Sequence, residues 1–256
     1  MHQFWKLGAT AAMFTTLGAA VAAPADSVSE TRTIDARVVR VKLDGMIDLK
    51  LKQGAVAALV ITGERALLSR TTTDQNGDTL IIGSEGKSFK LGRRANGLHA
   101  ELTLPALREV ASESLGSTDI SGFSGDELDL KLDGAGAMKV NCNYRLVTAV
   151  LGGVGSMHIE GANSEGIDLH LRGAGYVTLK GNSKWLKASL GGLGGLDAQH
   201  LTVDTVNLDL SGLGNATVSA RQSANLNLSG LGSVTVFGKP VKRNVSVDGL
   251  GKVSWK

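Results

Sequence analysis

Five residues ahead of each of seven Gly-x-Gly triplets stand Asp129, Thr148, Asp168, Lys187, Asn207, Asn225 and Asn244. If equal offsets stack, Asp129 and Asp168 share a column two rungs apart, roughly 10 Å at strand spacing. That is near the separation at which one carboxyl protonates a glycosidic oxygen while another activates water. A lyase or hydrolase acting on polysaccharide is therefore one function class to weigh. Lys131 and Lys187 flank these acids, however. Nothing nearby supplies the apolar burial that raises a carboxyl pKa for acid catalysis. A solvated face with scattered ion pairs accounts for the acids better, and no residue is assigned a catalytic role.

Metal and cofactor chemistry find no foothold. His158 and His170 fall on outward positions of adjacent repeats, but in different columns and without a third ligand. His200 reads as a turn residue, and His99 stands alone in a β-like run. Cys142 is the single cysteine. It rules out an internal disulfide or a multi-cysteine zinc site and reads as a small buried hydrophobe. The glycine triplets are not phosphate loops, because a strand rather than a helix follows each one. No Ser-His-Asp order or nucleophile elbow occurs, so neither metal nor cofactor is expected.

Binding chemistry is better represented. Asn207, Asn225 and Asn244 share one outward column, and Thr217 and Thr235 share another. Stacked amides and hydroxyls form stabilising ladders along a solenoid, or a flat polar face for a glycan or another repetitive ligand. Trp185 and Tyr176 are the outward-reading aromatic candidates. Trp255 falls at an inward position and is expected to plug the last coil.

The elements that hold these columns follow from the repeat. The first glycines of the triplets are Gly134, Gly153, Gly173, Gly192, Gly212, Gly230 and Gly249. They recur every 18 to 20 residues, and a fixed period near twenty marks a solenoid. Apolar residues alternate with polar ones on both sides of each triplet, as in Leu128, Leu130, Leu132 and then Met138, Val140. Period two means strands. Each repeat is strand, glycine corner, strand and loose turn. One such unit cannot bury its apolar face, but stacked units form a continuous inner column. Glycine sits at the corners, where a Cβ would clash with the next coil. Seven coils would make a rod of roughly 30 Å.

Residues 36–106 are also β-like but less regular. Asn76-Gly77 predicts a turn, and Pro105 should end a strand. Residues 107–256 hold the regular coils, beginning with a degenerate one around Gly116. Residues 36–256 are thus read as one elongated domain, preceded by a loose polar stretch over 23–35. Residues 1–22 have the charged, apolar and small-residue layout of a secretory signal peptide, with cleavage expected before Ala23 or before Asp26. No later stretch is apolar enough to span a bilayer. The formal charge of +3 is too small an excess to mark a nucleic-acid partner.

With "LPALREV", then "GSTDISGFSGDELDLKLDGAGAMKV", then a train of "SGLG" phrases, the chain resembles the head GIN-domain family. These are bacterial exported proteins labelled as autotransporter adhesins. The resemblance covers roughly residue 36 to the end. It implies a right-handed parallel β-helix outside the cytoplasm, periplasmic or extracellular in a Gram-negative bacterium. It implies no activity and no catalytic residues. The sequence ends at "GKVSWK" without the translocating β-barrel of an autotransporter, so self-translocation is not expected. The leading expectation is a non-enzymatic binding or structural module in the envelope, its partner a glycan or other envelope component. Uncapped solenoid ends expose unpaired backbone, so association of copies through the ends is a further expectation.

Overall fold

The computed structural model describes residues 27–84 and 97–256. The expected leader and both cleavage positions lie outside the described residues.

The strands are, in chain order, β1 (Ser27–Arg32), β2 (Arg40–Asp44), β3 (Ile47–Gln53), β4 (Ala58–Glu64), β5 (Thr71–Asn76), β6 (Thr79–Ser84), β7 (Leu98–Leu104) and β8 (Glu109–Ser112). Six long strands follow, each bending once: β9 (Ser117–Leu132), β10 (Ala137–Leu151), β11 (Val154–Leu171), β12 (Ala174–Leu190), β13 (Leu193–Leu210) and β14 (Leu213–Leu228). Three short ones close the chain: β15 (Ser233–Phe237), β16 (Lys242–Val247) and β17 (Lys252–Trp255). The one helix among the described residues, α1 (Arg65–Leu68), is a single turn.

From β9 onward every neighbour pairs in parallel, coil on coil, as the repeat predicts. Met138 lies beside Met157, Met157 beside Val177, and Val177 beside Leu196. The result is a β-solenoid of about seven turns. Inward residues of successive coils, such as Ala149, Leu169, Ala188, Leu208 and Leu226, are buried in one continuous core. Each fully buried aliphatic side chain contributes about 1.5–3 kcal/mol relative to exposure.

The corners explain the glycines. A Cβ on Gly212 would lie about 2 Å from the Gly192 carbonyl oxygen, and one on Gly192 equally close to Gly173. The backbones of adjacent corners touch, so any side chain there would push the coils apart.

The N-terminal part is more ordered than its sequence suggests, and its rungs are not in chain order. β2 lies between β6 and β8, parallel to both. β3 lies between β7 and β9, again in parallel. The β6–β7 rung therefore lies outside the earlier β2–β3 rung, and β8 returns to its inner side. Beyond that outer rung the chain runs antiparallel: β4 pairs with β7, β1 with β4, and β5 with β6. The turn at Asn76-Gly77 and the strand end before Pro105 match the sequence reading.

One expectation is corrected. Ser27–Arg32, read as part of a loose N-terminus, forms strand β1 in full register with β4. No residue of this edge strand is buried, so neither of its faces calls for an alternating apolar pattern. Arg32 ties it down by donating from Nη1 to the Thr71 carbonyl (2.8 Å) and to Thr73 Oγ1 (3.0 Å).

Candidate functional site

The two acids that open the chemical argument do share a column. Asp129 pairs with Thr148, which pairs with Asp168. They do not converge on a cleft. Asp129 lines a polar cleft of about 620 Å³ with Arg40, Arg108, Glu109, Tyr144 and Arg145, and Asp168 is not among its walls. Asp168 sits between Lys187 Nζ, 3.5 Å from Oδ2, and His170 Nε2, 3.2 Å from Oδ1. The second contact is out of hydrogen-bond alignment, leaving Oδ1 buried without a donor.

Several carboxyls elsewhere are shifted downward. The His158 hydrogen bond, then Lys180, hold Glu160 below the usual carboxylate range. The Lys184 hydrogen bond, then Arg145, do the same for Glu165. General acid catalysis needs the opposite shift. His158 spends its Nε2 on Glu160 Oε1 at 2.9 Å, and it lies on a different face column from His170, as expected. No group of three metal-ligating side chains occurs among the described residues. Burial pushes the Cys142 thiol up to about 11, which suits an inert packing residue.

The polar columns are ordered. Asn225 donates from Nδ2 to Asn207 Oδ1, and Asn244 from Nδ2 to Asn225 Oδ1, both at 2.7 Å. Thr217 is in register with Thr235, and Thr235 with Ser254. The amide ladder consumes one donor and one acceptor per step within itself, and each amide keeps further hydrogen-bonding capacity facing water.

The aromatic candidates are less free than their outward positions imply. The Trp185 ring lies over Gly166 of the preceding coil, where a Cβ would overlap it, and the residue is half-buried. The Tyr176 ring lies over Gly195 of the following coil in the same way, but stays 51% exposed. Its hydroxyl pKa is raised, by desolvation first and by Asp197 second. Tyr144 repeats the arrangement over Gly125, but is buried and donates to the Leu107 carbonyl at 2.7 Å. Glycine in one coil provides a flat bed for an aromatic ring in the next. Trp255 packs against the core at the last coil as expected, with the Arg243 guanidinium 4.6 Å above its ring.

A further surface feature is not among the sequence expectations. The central residues of the triplets point outward at the corner and stack. Val154 pairs with Ala174, Ala174 with Leu193, and Leu193 with Leu213. The register carries the row through Leu231 to Leu250 at one end and through Ala135, Leu115 and Met46 at the other. All of them are exposed, Leu193 by 58%. The result is a ridge of Ala, Val, Leu and Met running about 40 Å along the rod. It separates the Asn column on one face from the Thr column and Tyr176 on the other. A shallow trough runs beside it, lined by Arg172, Leu193, Ser211, Leu213 and Leu231 among others. The signal was present: the middle residue of every triplet is Ala, Val or Leu. Isolated exposed apolar residues mean little, whereas a contiguous row does.

A family model described as "Putative auto-transporter adhesin, head GIN domain" matches residues 39–240. This chain belongs to the head GIN-domain family. Crystal structures described as putative adhesins share the fold of this GIN-domain chain. One from Parabacteroides distasonis has a TM-score of 0.80 at 19% identity, covering 90% of this chain and 97% of that one. One from Parabacteroides merdae has 0.79 at 20% identity, covering 90% and 96%. One from Bacteroides fragilis has 0.63 at 20% identity, covering 90% and 97%. Identities this low speak for the fold alone. Among curated proteins, none matches this chain. No helix among the described residues is long and apolar enough to cross a membrane.

Proposed function

We propose that this GIN-domain protein is an exported, non-enzymatic, adhesin-like binding module of the envelope or cell surface. Its long corner holds a repetitive ligand such as a glycan or another cell-envelope component. The observation that carries this reading is the ridge from Met46 to Leu250. Its side chains recur at the coil spacing and stay in water. Exposed apolar rows of this extent mark interaction sites. The Asn207–Asn225–Asn244 column and the Thr217–Thr235 column flank the ridge and supply polar contacts at the same repeat. Tyr176 adds an exposed ring on one flank, and Trp185 a half-buried one. A ligand with a period matching the coils would meet equivalent groups at each step.

Binding of the purified mature protein to a glycan array and to cell-wall fractions tests the reading. The Leu193→Ser/Leu213→Ser double variant, both sites exposed, should lose at least about tenfold in affinity. Unchanged binding by that variant would remove the ridge from the reading. The enzymatic alternative predicts cleavage products that vanish on Asp168→Asn, and their appearance would replace the binding reading altogether.

A further inference from the structure

The last coil departs from the repeat in a consistent direction. Residues 239–256 hold five basic side chains, Lys239, Lys242, Arg243, Lys252 and Lys256, and one acid, Asp248. That is a formal +4, against +3 for the whole chain, so everything before it is net −1. The register shows where the cations enter. Lys242 occupies the position of Ser223 one coil earlier, Arg243 that of Ala224, and Lys252 that of Ser233. None of the five forms a salt bridge among the described residues.

The same coil carries the two most exposed large apolar side chains among the described residues, Val241 at 89% and Leu250 at 86%. They bracket β16, and each stands within two residues of a lysine. Val241 directly precedes Lys242, the first residue of β16 to pair with the preceding coil. Between them, Val245 and Val247 occupy core positions that no further coil covers. They are 44% and 41% exposed, where Leu226 and Leu228 one coil back are buried.

We infer that this end of the solenoid docks on an anionic lipid surface. A protruding Val and Leu among cations that have no acidic partner combine the two contributions that hold a peripheral protein at such a surface: apolar insertion and attraction to acidic headgroups. Val241 and Leu250 flank β16 in the last rung, which no further coil covers among the described residues, so both are open to one partner at that end. A partner strand added along β16 would lie between the tips. Two other accounts explain less. Lysines on an open edge discourage strand pairing, but that purpose gives no reason for Val241, which belongs to no repeating row. Joining two copies through this end would bring two +4 surfaces together, which like-charge repulsion opposes. The inference goes beyond the ridge reading: it shares only Leu250, the last residue of the ridge, and concerns the end of the rod and a different ligand.

Co-sedimentation of the mature protein with vesicles tests it. Mixed phosphatidylglycerol–phosphatidylcholine vesicles should capture the protein at low salt and release it at high salt. Phosphatidylcholine alone should not capture it. Lys239→Glu/Lys242→Glu/Lys252→Glu should reduce partitioning by about 100-fold, and Val241→Ser/Leu250→Ser by about tenfold, with melting curves confirming that both variants fold. No capture by the acidic vesicles, or capture unchanged in both variants, overturns the inference. So does capture lost in Leu193→Ser/Leu213→Ser and kept in the end variants, which would assign lipid to the ridge. Light scattering that shows a dimer dissociated by the lysine variant would assign the end to a second copy instead.

Discussion

The two ends of this solenoid solve the same problem differently. Both must deal with an aliphatic column that runs out of coils. At the N-terminal end the chain reverses direction. Strands β4 and β1 add antiparallel rungs beyond β7, β5 folds back on β6, and Leu68 of α1 is buried against them. Leu59 and Ile61 of β4 are fully buried. At the C-terminal end β16 and β17 continue the parallel stack and stop. Val253 and Trp255, the latter under the Arg243 guanidinium, cover part of the opening. A terminal repeat buries its core only if something is laid across it. One end provides its own cover; the other leaves cations and aliphatic side chains in water.

This contrast can be broken or sharpened by mutation, beginning with the coils between the ends. Gly212→Val should be the most damaging change, because its side chain would collide with the Gly192 backbone inside a coil held from both sides. A loss of more than about 4 kcal/mol, or no soluble protein, is expected for an overpacked backbone contact. Gly249→Val makes the equivalent clash against Gly230, but in the last coil, which can lift away. It should cost less than half as much in denaturant melts. Equal losses would mean that the last coil is as tightly held as the middle.

A smaller effect separates the ends themselves. Leu59→Ala at the covered end should cost about 2–5 kcal/mol. Val247→Ala at the open end should cost under about 1 kcal/mol, since its side chain is already half in water. Similar values from paired urea titrations would contradict the difference in cover.

The smallest effect is one of pH and belongs to the flank. Glu160 and Glu165 have folded-state pKa values below the ordinary 4.5. A carboxylate lowered in this way adds stability above its unfolded value and loses it as pH falls through the folded one. The melting temperature should therefore sag slightly below about pH 4.5, by an amount limited by solvent screening. Glu165→Gln should flatten part of the sag; an identical profile would show that its pairs with Lys184 and Arg145 contribute nothing.

How much was legible beforehand depends on the range of the interaction. The Asn207, Asn225 and Asn244 column was readable because its register repeats the triplet spacing. The register that puts Gly166 beside Trp185 was equally legible, since each stands seven residues before its triplet, but only the structure shows the ring lying across that glycine. The exposed ridge was readable and overlooked: the middle residue of each triplet was counted as part of a turn rather than as surface. Strand β1 was unreadable, since none of its side chains is buried and alternation marks a strand only where one face enters a core.

The amino-acid sequence determined the repeat, the inward and outward faces, and the need for glycine at each corner. Those follow from local alternation and from backbone contact between neighbouring coils, which every copy restates. Tertiary structure alone decided that β6–β7 lies outside β2–β3, that β1 and β4 cover one end, and that the other end stays open. Those choices depend on pairing between segments far apart in the chain, where many partners match one alternating pattern and only the completed stack selects among them.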